Sequence, residues 1–447
     1  MLADTIAALA THPGRAALAL IRLSGAAAFE VAARVVPGFD PAIPRQARLG
    51  AFQHPDGQPI DRGLWIAYPG PRSYTGEDLV EFTCHGGLVV PTRLLSALFA
   101  AGARQAAPGE FTLRAVLHGR MNLMQAEAVG DLIDATAPAQ AEVALHHLEG
   151  GLSARIEQLR LQLLDLTALL GYHIDFPEED DGPVSPAQQI TLLEQTRESV
   201  ALLLRTAPTG TRLREGALVV LAGRPNSGKS SLFNALLGSE RALVAPTPGT
   251  TRDAIEADTS FAGWPIRLAD TAGLRDADDM VERLGIEVSR RYLEAADLVL
   301  LCAEAGRRLA EGERRIMADC PTILVRTKAD LVPAGEDREV EGVLTSVLSG
   351  EGLEAVRTAV ADRMFGPDGT HPAPALTPVL VRERHRVGLS RAGEALAEAR
   401  PHLGAGGDAA LAAHHVRRAI AELDGLIGGL DAEEVLGRIF SRFCVGK

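Results

Sequence analysis

The chain has 447 residues, 46% of them hydrophobic and 23% charged, with a formal net charge of −13. That length exceeds one ordinary core and predicts two or three domains, and the apolar fraction is that of a soluble globular protein. The acidic sum opposes non-specific nucleic-acid binding over the whole surface, so any RNA contact has to be local or shared with a partner. No run of about 18 apolar residues exists. The first residues carry an acid and no basic stretch, so no membrane helix or leader is expected and the protein is read as cytoplasmic. Cys84, Cys302, Cys320 and Cys444 form no CxxC pair, which argues against a zinc site or a disulfide framework.

Residues 1–118 read as an α+β domain. Ala17 to Arg22, Leu64 to Tyr68 and Leu79 to Thr83 are strand-like, and Ala26 to Val35 and Val89 to Ala101 helix-like. Arg22 and Glu81 interrupt apolar runs, Glu81 just before Cys84-His85-Gly86-Gly87. Such charges are either satisfied ion pairs or strand edges, or they bind a ligand; the residue types alone leave this open, and His85 reads as structural.

Residues 119–213 read as helical. Met124 to Ala135 and Ala139 to Leu170 have apolar residues at three and four spacings, Pro138 falls between them, and Pro186 to Arg205 is a further helix. The acidic break Phe176 to Pro183 reads as a solvated loop rather than a metal site. Ala207 to Gly210 reads as the lead into the next domain.

Residues 214–368 carry the chemistry. The β-branched run Leu218 to Leu221 predicts a buried strand, followed by Gly223, Gly228, Lys229 and Ser230 in the spacing G-x-x-x-x-G-K-[ST] and then a helix. In that arrangement backbone N–H groups and the positive end of the helix dipole surround a phosphate, the lysine neutralises it, and the hydroxyl binds Mg²⁺. Thr250 and Thr251 follow, then Asp270-Thr271-Ala272-Gly273 after the strand Ile266 to Ala269, then Thr327-Lys328-Ala329-Asp330 after Thr322 to Arg326. This is the order of a guanine-nucleotide switch domain with a doubly wound, mostly parallel sheet. Asp330 suits the N1–H and 2-amino donors of guanine, so the predicted nucleotide is GTP. Helical sequence resumes in 369–447, with Arg382 to His402, Ala409 to Ile427 and Ala432 to Phe443, so the nucleotide domain reads as an insertion into one helical domain.

The chain resembles the bacterial MnmE/TrmE family of tRNA-modification GTPases. Beyond the nucleotide motifs the likeness rests on Asp4 to Ala8 with Pro13-Gly14-Arg15, Tyr74 to Asp78, Pro108 to Phe111, Gln125 to Val129, Leu132 to Ala135, and Phe443 to Lys447. The resemblance implies an N-terminal domain that forms a homodimer and binds a formyl-tetrahydrofolate, a helical domain and an inserted GTPase domain. It also implies an FAD-dependent partner, FAD being held by that partner only, with which the wobble uridine of certain tRNAs gains an aminomethyl or carboxymethylaminomethyl group. Folate positions fall on Arg22, Glu81, Arg120 and Lys447; Arg120 stands where lysine is usual, exchanging a point ammonium for a planar guanidinium. The family's terminal cysteine matches Cys444, either a chemical participant or a small buried apolar side chain.

By the same comparison the GTP-binding set is Asn226, Ser227, Gly228, Lys229, Ser230, Ser231, Ala245, Thr247, Gly249, Thr250, Thr251, Asp270, Thr271, Ala272, Gly273, Thr327, Lys328, Asp330 and Ser346. Ser230 and Thr251 are the Mg²⁺ positions, and Asn226, Ala245, Thr247 and Thr250 surround K⁺, Ala245 through backbone alone. Leu274 occupies the place where Ras-like switches carry a water-orienting glutamine, so Glu282 is expected to position the water; Lys229 and Arg252 are also read as catalytic, Arg252 and Arg275 being switch residues with no individual role assigned. On residue type alone Glu282 reads as an exposed acid. Thr327 replaces the commoner asparagine, which predicts a weaker nucleotide grip. Competing readings are a ribosome-assembly GTPase, which would carry a basic RNA-binding module, a P-loop kinase, and a scaffold with a vestigial site.

Overall fold

The computed structural model describes residues 4–175, 185–238, 255–270, 291–332, 341–366, 379–404, 407–428 and 446. They form two compact units, 1–130 with 424–447, and 131–423. Among the described residues no helix is long and apolar enough to cross a membrane.

In the first unit β1 (Ile6–Leu9), β2 (Leu18–Ser24), β3 (Arg48–Gln53), β4 (Pro59–Tyr68), β5 (Leu79–His85) and β6 (Arg104–Gln105) make one sheet in the order β3-β4-β5-β2-β1-β6. All its pairings are antiparallel except β1 with β6. Alternation explains its larger core: Ala19, Ile21 and Leu23 of β2, and Val80, Phe82 and Cys84 of β5, face the helices Ala28–Val35 and Val90–Ala100, while Ile6 and Ala8 of β1 turn to the other face against Phe111. Arg22, Glu81, Thr83 and His85 point the other way. The sequence reading missed β1, β3, β6 and the helix Glu110–Leu117, which are short or lack a long apolar run.

The helix Glu110–Leu117 is fixed by charge. Arg114, fully buried, donates to Glu77 at 3.0 Å, to Glu110 at 2.9 Å and to the Asp4 carbonyl at 2.8 Å. Burial alone would raise the Glu110 pKa. Bonds from Arg104, the Ala107 N–H and Arg114 outweigh it and bring the carboxyl down to about 2.

In the second unit the helices Gly151–Asp175, Pro186–Arg205 and Glu383–Ala399 pack side by side. The Ala139 to Leu170 stretch is two helices, Pro138–Leu148 and Gly151–Asp175, because Gly150 takes φ 95° and ends the first. Pro138 opens its helix rather than lying in a break, since the first turn needs no proline N–H. Ala207–Glu215 is helical as well, with its proline in the first turn.

The second sheet contains β7 (Ala217–Ala222), β8 (Ile255–Phe261), β9 (Trp264–Asp270), β10 (Leu298–Glu304), β11 (Thr322–Thr327) and β12 (Val343–Leu344), ordered β12-β11-β10-β7-β9-β8. It is parallel except for the β8–β9 hairpin. Every residue of β7 is buried, as a central strand covered on both faces requires. Helices Lys229–Leu237 and Leu353–Phe365 cover one face, with Trp264 stacked on Phe365 at 4.5 Å.

Arg114→Met should leave the carboxylates of Glu77 and Glu110 without their shared cation and cost about 3–5 kcal/mol, read as a lowered denaturation midpoint. Because the Glu110 pKa is lower folded than unfolded, the unfolded chain takes up the proton first on acidification. Its stabilisation should be complete above the ordinary value of 4.5 and lost as pH falls to about 2, and Glu110→Gln should flatten acid denaturation across that window.

Candidate active site

Five parallel strands end at one edge, and all but β10 deliver residues of the nucleotide motifs there. β7 delivers Gly223, β9 Asp270, β11 Thr327 and Lys328, and β12 leads into Thr345 and Ser346, while β10 adds Glu304, which belongs to no motif but pairs with Lys328. Register aligns these ends: Leu221 stands opposite Asp270, Leu301 opposite Ala222, and Glu304 opposite Thr327.

The phosphate loop needs backbone conformations that few side chains tolerate. Gly223 has φ 143°, and a Cβ there would collide with the carbonyl oxygen of Cys302. Asn226 takes φ 62° and Gly228 φ 87°, after which the helix Lys229–Leu237 begins. Lys229 is buried, and its ammonium donates to the carbonyls of Gly223 at 3.0 Å and Arg224 at 2.7 Å, so the cation lies inside the loop. Ser227 is buried with Oγ unpartnered, whereas Asn226, Ser230 and Ser231 are exposed. Asp270, 2% exposed, closes β9.

The base-reading side is tied to the loop by one hydroxyl. Thr327 Oγ1 donates to the Ser227 carbonyl at 2.7 Å, so threonine keeps the motif joined to the phosphate loop without a carboxamide. Asp330 accepts from Ser346 Oγ at 2.6 Å, and the Ala329 N–H donates to the Thr345 carbonyl at 3.0 Å. Lys328, at φ 59°, pairs with Glu304 at 2.5 Å, and this bond from Lys328 is the main cause of the lowered Glu304 pKa. Burial pushes the Cys302 thiol up to about 12.

Glu304 and Glu313 escaped the sequence reading. Glu304 ends the apolar run of β10 as Asp270 ends that of β9, which is the signal for it in the sequence; Glu313 holds Arg224 at 3.3 Å across 89 residues with no local signal. Ala245, Thr247, Gly249, Thr250, Thr251, Arg252, Thr271, Ala272, Gly273, Leu274, Arg275 and Glu282 lie outside the described residues, as do Cys444 and Lys447.

A second constellation occupies the open face of the first sheet. Arg22 and Glu81 are cross-strand partners and pair at 2.9 Å, so the ion-pair reading of these charges holds. Tyr68 donates to Glu81 at 3.4 Å, and the Arg22 guanidinium lies 5.2 Å from the Tyr74 ring centroid. Both tyrosines were missed as neighbours of the pair. Arg120 is exposed, and its stem lies beside Gly76, two residues along the same loop from Tyr74.

A glycine-bounded loop opening a helix, with a guanine-matched carboxylate anchored at the same sheet edge, defines a P-loop GTPase. The profile described as MnmE helical domain matches residues 123–444, and that described as GTP-binding protein TrmE N-terminus matches 5–120. Relatives called tRNA modification GTPase MnmE include one from Akkermansia muciniphila, 39% identical over 99% of both chains. One from Thermus thermophilus is 44% identical over 100% of this chain and 99% of its own, and one from Laribacter hongkongensis 42% identical over 100% and 99%. The chain therefore belongs to the MnmE family of tRNA modification GTPases.

Gly223→Ala should abolish GTP binding in calorimetric titration, because the new methyl has a main-chain oxygen in its place. Thr327→Val leaves the Ser227 carbonyl without its donor and should weaken nucleotide binding about tenfold, close to 1.4 kcal/mol.

Proposed function

We propose that this protein hydrolyses GTP to drive the addition of an aminomethyl or carboxymethylaminomethyl group to C5 of the wobble uridine in certain tRNAs, together with an FAD-dependent partner. The observation that most supports the reading is the gathering of the phosphate loop, Asp270 and the Asp330–Ser346 pair at one sheet edge. In this arrangement the nucleotide domain, 214–368, is inserted between helical segments 119–213 and 369–447, and the domain 1–118 forms the homodimer.

On binding, Lys229 exchanges its carbonyl partners for phosphate oxygens, while Asp330, oriented by Ser346, accepts from the guanine edge. Ser230 is exposed on the first helical turn and fits a Mg²⁺ ligand, with Thr251 as the second. The exposed carboxamide of Asn226, on a left-handed residue within the loop, fits a monovalent cation, whose other ligands would come from Ala245, Thr247 and Thr250. Such cations supply positive charge where an arginine finger acts in other switches. Glu282 positions the attacking water and Arg252 acts in the adjoining switch. GTP brings the nucleotide domains of the dimer together and hydrolysis releases them, so turnover moves the helices that hold them.

The Arg22–Glu81 pair beside Tyr68 and Tyr74 combines hydrogen-bonding groups with aromatic faces, which fits the flat polar ring of a folate. Arg120 and Lys447 would serve its charged end, and Cys444 is the thiol available to the one-carbon chemistry.

GTP turnover should be faster in K⁺ than in Na⁺ at equal ionic strength; equal rates would remove the cation from the mechanism. Glu282→Ala should bind GTP normally and hydrolyse it slowly, and undiminished turnover would remove its water-positioning role. Mass analysis of tRNA from a deletion strain should show the wobble uridine unmodified, and ordinary modification would end the assigned task.

A further inference from the structure

The chain reaches β7 through the helix Ala207–Glu215 and returns from the nucleotide sheet through Val379–Arg382. One carboxylate grips both arms. Asp131, on the helix Leu123–Asp134, accepts from Arg382 Nη2 at 2.7 Å and Nε at 3.0 Å, a two-pronged pairing, while Arg214 Nε lies 3.5 Å from the same carboxylate. The side chains of Asp131 and Arg382 are 17% and 18% exposed, so this pair is less screened than a surface contact.

The arms also grip each other. The Leu380 N–H donates to Thr206 Oγ1 at 3.0 Å, and the Leu380 carbonyl presses on Gly210, where any Cβ would collide. That contact explains a glycine inside a helix. Gln140 donates to the Arg214 carbonyl at 3.2 Å, and a cavity of about 300 Å³ bounded by Asp131, Gln140, His147, Leu213, Arg214 and Val381 lies alongside. Close-packed interiors resist small displacements, and a void beside the joint gives the arms room to shift.

We propose that Asp131 is the positioning residue through which movement of the nucleotide sheet reaches the long helices, by binding the incoming and returning arms into one lever. The proposal rests on the nucleotide-driven movement described under the function above. Asp131 is bonded to the arms and not to the phosphate loop, so its loss should uncouple movement from hydrolysis rather than stop hydrolysis. With asparagine there, the two guanidinium groups facing this position lose the carboxylate charge they share, and the tie between the arms weakens.

The test is amide hydrogen exchange of the full chain, read over the helices Leu123–Asp134 and Glu383–Ala399 with GTP and with GDP, beside GTP kcat and KM. Wild type and Asp131→Glu should show a nucleotide-dependent difference in both helices. Asp131→Asn should lose it with kcat and KM unchanged, and tRNA modification with the partner protein should fall about 5- to 150-fold, the range of a typical coupling. If Asp131→Asn does not fold, Asp131→Asn with Arg214→Gln removes one of the facing cations and should show the same loss. A difference that survives the substitution, its absence from wild type, or a fall in GTP turnover in step with melting temperature would overturn the proposal. Wild type whose helices respond to GTP but which modifies no tRNA would overturn the function assigned above and leave the role of Asp131 standing.

Discussion

The nucleotide site depends on a main-chain contact: the backbone after β7 passes so close to the Cys302 carbonyl that position 223 has no room for a side chain. Parallel pairing of β7 with β10 brings these two segments together, and the loop then turns through left-handed residues into a helix. Lys229 is held inside that turn by the loop's own carbonyls, and Thr327 bonds to the same loop from the far side. Phosphate-holding and base-reading groups are thus parts of one hydrogen-bonded object. A change at either end is felt at the other, which is how a nucleotide can be read as a whole molecule.

The central part of this fold was legible because buried parallel strands are nearly continuous apolar runs, and the motif residues sit where those runs end. Pro186–Arg205 and Ala409–Ile427 were legible at both ends for a similar reason, a clear apolar period between helix signals. The misses share a different cause. Arg382 and Asp131 are 251 residues apart, and Arg114 meets Glu77 across 37; nothing local in either stretch announces the partner. Ala207 to Gly210 read as a linker, its proline and glycine being turn signals, yet it opens the helix Ala207–Glu215: the proline is in the first helical turn and the glycine answers a neighbouring carbonyl.

Charge plays opposite parts in the two units. In the first, Arg114 is wholly enclosed and bonded through its two terminal nitrogens to two carboxylates and a carbonyl, a fixed arrangement whose loss leaves like charges together. In the second, Asp131 is shared between two arginines at unequal distances, an arrangement that tolerates adjustment. Buried clusters of the first kind define a local structure; the second kind joins two segments far apart in sequence.

The thiol of Cys302 follows from its place beneath the phosphate loop. Fully enclosed, with its proton held far above the usual range, it offers neither a thiolate nor an approach to an oxidant. Cys84 is similarly enclosed, with its thiol raised to about 11. Peroxide or disulfide stress therefore finds no handle on these two sulfurs, so the strand beneath the phosphate loop carries no thiol that an oxidant in solution can reach.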